Sequence, residues 1–132
     1  MTGLTSLSEK VIERLLAGDD EVLAVLREQA RNSRVASNKE TGVRFYTEFV
    51  VPSEIPRVPG RPTFRFGDVN GTAANVKHGL GFILFVKEGA LASLEGYTYD
   101  EPWPDEIRQL KLPYSGGQSR NMGSLKKLIH KQ

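Results

Sequence analysis

The chain has 132 residues, 39% of them hydrophobic and 26% charged, with a formal net charge of +2. That is the size and composition of one domain with a real core, which excludes a globally disordered chain. There is no cysteine, so disulfides, thiolate metal sites and a thiol nucleophile are excluded, and no apolar run approaches the ~20 residues of a bilayer span.

The first residues, MTGLTSLSEKVIERLL, lack a basic stretch followed by an apolar one. The expectation is therefore a cytoplasmic protein that does not enter a membrane. Ser6 and Glu9 have the spacing of a capping box, and Val11, Ile12, Leu15 and Leu16 then fall on one helical face. Gly18 interrupts, Asp19 or Asp20 can cap a second helix, and Val22, Leu23, Leu26 and Ala30 mark its buried side. Two helices, or one helix kinked at Gly18, can lay an apolar stripe on a sheet. A DNA-reading helix pair is disfavoured, because the second helix starts acidic where it would meet phosphates.

Residues 35–51 contain the next strand. Val43, Phe45, Thr47, Phe49 and Val51 alternate with Arg44, Tyr46, Glu48 and Val50, the period of a half-buried strand. The prolines of VPSEIPRVPGRP forbid helix and central strand, which predicts a stiff surface crossover. Residues 63–69 read as a short strand, Asn70-Gly71 as a turn and residues 72–79 as a loop. Phe82 to Val86 is a buried strand, returning through Glu88-Gly89 as a hairpin. The simplest register sets Val86 against Leu91, Ile83 against Leu94 and Phe82 against Glu95. It gives a core face of Ile83, Phe85, Ala92 and Leu94, unless a bulge shifts it.

Past Gly96 the strand delivers Tyr97, Tyr99 and Trp103 interleaved with Asp100, Glu101 and Asp105, and Pro102 and Pro104 stiffen its exit. Residues 91–116 hold two basic and five acidic groups, and residues 117–132 hold four basic and none acidic. Clustered Tyr and Trp with carboxylates suit a docking rim for a basic protein partner. The alternative is a lid over one end of the core, with polar tips in water. Residues 105–112 form either a helical turn or a last short strand. The final stretch places Leu125, Leu128 and Ile129 among lysines, and reads as a basic, flexible tail over residues 115–132. Nucleic acid enters only through that tail.

Neither His78 nor His130 has a second ligand at metal spacing, and no nucleophile elbow or phosphate loop occurs, so no metal, cofactor or catalytic motif is assigned. One proton-transfer arrangement is open. Glu95 among apolar neighbours would have its pKa raised by burial, with Arg44, Tyr46 and Glu48 on a neighbouring strand completing a small pocket. The alternative is a structural carboxylate.

The segments Gly81-Phe82-Ile83-Leu84-Phe85-Val86, Leu94-Glu95-Gly96-Tyr97-Thr98-Tyr99 and Trp103-Pro104 resemble a group of small bacterial proteins without an assigned activity. The similarity spans residues 10–112 and carries no catalytic role. The architecture is also similar, by loose analogy, to toxin-immunity proteins, many of them small cysteine-free domains with an acidic binding face. That analogy implies an inhibitor-type binding module.

These readings combine into an α+β domain over residues 1–114. An N-terminal helix or helix pair packs on a curved antiparallel sheet of about four strands, a cystatin-like architecture.

Overall fold

The computed structural model describes residues 3–115 and 119–130. Among them, helix α1 (Ser6–Leu15) and helix α2 (Glu21–Asn32) precede strands β1 (Arg34–Glu40), β2 (Arg44–Val50), β3 (Phe64–Phe66), β4 (Asn70–Ala73), β5 (Val76–Lys87) and β6 (Ala90–Thr98). Helix α3 (Met122–Ile129) follows. The strands form one antiparallel sheet in the order β1-β2-β6-β5-β3, with β4 also on β5, and the sheet is open and curved. The architecture is α+β, with six strands where about four were expected. The two extra strands come from splitting residues 34–50 at a turn and from β4.

Thr5, not Ser6, caps α1, its hydroxyl accepting from Ser8 N at 3.2 Å. Gly18 (φ +128°) ends the first helical segment, and Asp20 Oδ1 accepts from Val22 N at 2.8 Å and Leu23 N at 3.2 Å to start α2. The pair is thus two helices. Val11, Leu15, Leu16, Leu23 and Leu26 are sealed from solvent against Phe49, Phe66, Phe82, Leu84 and Leu94. Burying each such leucine contributes ~2 kcal/mol.

The β5–β6 hairpin turns at Glu88 (φ +50°) and Gly89 (φ +77°), the two positive-φ positions of a type I′ turn. Val86 pairs with Leu91, as the simplest register has it. Phe85 then pairs with Ser93, so Ala92 is the extra residue of a bulge. Every later partner shifts: Ile83 faces Glu95 and Phe82 faces Gly96. The expected core face of Ile83, Phe85, Ala92 and Leu94 is therefore incorrect. Phe82, Leu84, Val86, Leu91 and Leu94 are the buried set, while Ile83 and Phe85 are only half-buried. The bulge keeps both Leu91 and Leu94 in the core, and this burial selects the register.

Asn70-Gly71 lies within β4 rather than in a turn; the chain reverses between Ala73 and Val76, which are paired. The expected loop over 72–79 is a strand pair. Residues 108–115 form neither helix nor named strand. They zip along the outer edge of this hairpin through Asn70 N to Pro113 O, the reciprocal Thr72–Lys111 pair and Ala74 N to Arg108 O. That pairing covers a sheet edge.

The polar core is concentrated at Gln29, which is 0% exposed. Its amide donates to Pro56 O (3.0 Å) and Gly89 O (2.8 Å) and accepts from Leu91 N (2.9 Å), joining α2, the proline-rich crossover and the hairpin.

The stretch expected to be a flexible tail contains α3, which buries Leu125 and Ile129 in the core. Residues 116–118, 131 and 132 of that stretch lie outside the described residues. The helix is fastened by Arg120, whose guanidinium pairs with both Asp68 oxygens (2.7 and 2.9 Å) and donates to Leu15 O, Ala17 O and Arg14 O at the end of α1. A cation there complements the helix dipole. Asp20 Oδ2 meets His130 Nε2 at 2.7 Å, tying the far end of α3 to the start of α2.

Candidate functional site

The helices cover one face of the sheet, and the other face carries the residues singled out for chemistry. Cross-strand pairing sets Arg44 beside Tyr97, Tyr46 beside Glu95 and Glu48 beside Ser93, while Ile83 flanks Glu95 from β5. Arg44, Tyr46, Glu48 and Glu95 therefore share this face. Glu95 is only 8% exposed, and its carboxylate is taken up by the Arg44 guanidinium. That contact holds the Arg44 pKa above its ordinary value. The five main cavities open elsewhere: none has Glu95 in its walls.

The Tyr97 ring lies over Gly81, directly across the ladder, where any Cβ would overlap it. The rings of Tyr97 and Tyr99 meet edge to face at 5.4 Å. The Tyr97 hydroxyl is pushed up to about 12, first by the neighbouring Tyr99 hydroxyl and then by burial. The Arg44 guanidinium sits 5.7 Å from the Tyr97 ring centroid, within cation–π range.

Beyond Tyr97 the chain is pinned residue by residue. Thr98 donates its N–H (3.1 Å) and its hydroxyl (3.3 Å) to Val43 O, and the hydroxyl also contacts Glu101 O. The Glu101 carboxylate accepts from Lys77 N (2.9 Å) and His78 N (2.7 Å), and these two bonds hold its pKa below the usual carboxylate range. Trp103 N donates to Gly42 O at 2.8 Å. Its ring stands edge-on to Phe45 at 5.0 Å, over the helix-facing side of β2.

The six rim residues thus divide. Tyr97 and Tyr99 belong to the open sheet face. Glu101 is committed to backbone, and Trp103 is half-buried in a cleft on the other side. Tyr99 is 42% exposed, with Asp100 (φ +55°) and Asp105 also in solvent. Val43 is exposed, although sequence alternation assigned it to the inner face.

Among the described residues, no cluster of three or more His, Asp or Glu side chains could hold a metal ion, and no helix is long and apolar enough to cross a membrane. Searches against protein-family models, curated proteins and solved structures give no match to this chain.

Proposed function

We propose that this chain is a protein-binding module of the inhibitor type, acting in the cytoplasm, which docks a cationic partner on Tyr97, Tyr99, Asp100 and Asp105. The observation that carries this reading is the pinning of the 98–103 loop. Thr98, Glu101 and the Trp103 N–H fix its backbone, while Tyr99 and Asp100 project into water. A loop held rigid before contact loses little entropy on binding. Tyrosines supply anchor area, and Asp100 and Asp105, which form no ion pair among the described residues, attract positive charge.

Proton transfer at Glu95 has less support, because Arg44 occupies the carboxylate and none of the main cavities reaches it. The test is capture of host proteins on the immobilised chain at low and high salt, repeated with Tyr99→Ser and Asp100→Lys. A partner that is lost at high salt and from both variants supports the reading. Capture that neither variant weakens would remove this rim from the account.

A further inference from the structure

A cleft of about 590 Å³ opens on the opposite side of the molecule from the open sheet face. Its walls are the first turn of α1 (Thr5 to Ser8, and Lys10), the inner side of the β1–β2 pair (Asn38 to Glu40, Phe45, Thr47) and residues 103–110. Trp103 and Phe45, in edge-to-face contact, make an aromatic wall, and Leu7, Ile107 and Leu110 continue it.

Three observations distinguish this cleft from packing slack. Ser8 lines it at 2% exposure, and its hydroxyl has no hydrogen-bond partner among the described residues. No fully buried side-chain polar atom among the described residues lacks a partner, so this hydroxyl opens into the cleft, where it is available to a ligand. Next, the Thr47 hydroxyl, 1% exposed, donates to Oδ1 of the exposed Asn38 at 2.6 Å, which leaves the Asn38 NH₂ in solvent at the cleft and open to a ligand. Finally, the charges lining the cleft are sorted by element. The α1 wall carries Lys10 and a helix N-terminus, and the 103–110 wall carries Asp105 and Glu106. Glu106 is already paired with Arg108, whereas Lys10 and Asp105 form no ion pair among the described residues.

We infer that this cleft binds a short apolar peptide with free ends. Its carboxylate lies toward Lys10 and the start of α1, its ammonium toward Asp105, and a ring or branched side chain rests on Trp103. The size agrees. A compact space of 590 Å³ is roughly 8 Å across, and two extended residues span ~7 Å. A lone anion would meet Asp105, Glu106 and Glu40, and a lone cation would meet Lys10, Lys39 and the helix dipole, so a ligand with both charges is the complementary one. This inference shares Asp105 with the edge of the proposed docking rim but does not rest on that reading, and Ser8 and Trp103 belong to the cleft alone.

Trp103 is the single tryptophan of the chain, so its emission reports directly on the cleft. The experiment titrates the full chain with the dipeptide Leu-Phe up to ~10 mM, enough to fill a millimolar site. In parallel it uses the same dipeptide N-acetylated, the same dipeptide C-amidated, and free phenylalanine. The expected result is saturable quenching by Leu-Phe, with each capped form and free phenylalanine at least tenfold weaker. In the Asp105→Asn chain the cost of N-acetylation should disappear while that of amidation persists, and Ser8→Val should weaken Leu-Phe severalfold. Unchanged melting temperatures would show that both variants remain folded. No saturable change with Leu-Phe, capped forms binding as well as the free dipeptide, or an acetylation penalty unchanged in Asp105→Asn would each overturn the inference.

Discussion

Replacing Arg120 by methionine should destabilise the fold by ~3 kcal/mol, at the lower end of the range for breaking a buried ion pair. The Arg120 side chain is only 6% exposed, so it draws little help from water. Its guanidinium serves one carboxylate through two bonds and three carbonyls at the end of α1. Methionine fills similar space but removes the Arg120 donor from the Leu15 and Ala17 carbonyls, while Arg14 O keeps the Tyr114 hydroxyl, and it leaves Asp68 without its cation. Asp68, at 27% exposure, recovers part of its loss by hydration, which places the cost near the lower bound. With ~2.1 cal/mol/K of unfolding entropy per residue over 132 residues, ~3 kcal/mol corresponds to a fall of roughly 11 °C in melting temperature. Urea and thermal unfolding of the wild type, Arg120→Met and Arg120→Lys would check it. Lysine should fall between the two, since it keeps the charge but not the fork. A loss below ~1 kcal/mol for methionine, the scale of an exposed ion pair, would refute the assignment of Arg120 as a buried fastener.

Gln29→Leu should cost ~2–3 kcal/mol in urea unfolding, because Leu91 N loses its acceptor inside the core; a change below ~0.5 kcal/mol would contradict that. Gly96→Ala should push aside the Phe45 ring that lies over it, costing ~1–3 kcal/mol. Because Phe45 supports Trp103, the emission of that residue should shift with it, and an unchanged spectrum would count against the contact. Burial alone would raise the Asp20 pKa, but the His130 ring and the N–H groups of Leu23 and Val22 outweigh it and hold the pKa below the ordinary value. The resulting stability is present above the unfolded-state pKa near 4 and is lost as pH falls through the lower folded value. Stability measured from pH 5 downward should therefore drop less steeply in Asp20→Asn, and parallel curves would exclude this contribution.

The elements legible in the sequence were those whose evidence is local. The apolar spacing of α1 and α2, the alternation of β2 and the Glu88-Gly89 turn each depend on a few adjacent residues. The β5–β6 register was not legible past Val86, because the bulge at Ala92 is selected by which leucines the helices must cover. Asn70-Gly71 reads as a turn in isolation, yet pairing with Gly81 and Leu80 on one side and with the 108–115 segment on the other holds it extended. The basic end of the chain was misread because charge suggested solvation, while Leu125 and Ile129 had a core to enter. For the candidate site, period-two reasoning put Arg44, Tyr46 and Glu48 on one face, and the bulge at Ala92, whose position the sequence does not specify, sets Glu95 on the same side. It could not foresee that Trp103 would cross to the other side, because that depends on Gly42 accepting its N–H.

The Arg120 clasp also has a consequence in time. The last carbonyls of α1, specified within the first seventeen residues, wait for a guanidinium that is translated more than a hundred positions later. During synthesis this clasp therefore closes only after residue 120 has emerged, later than any contact among the segments that lie between its two halves.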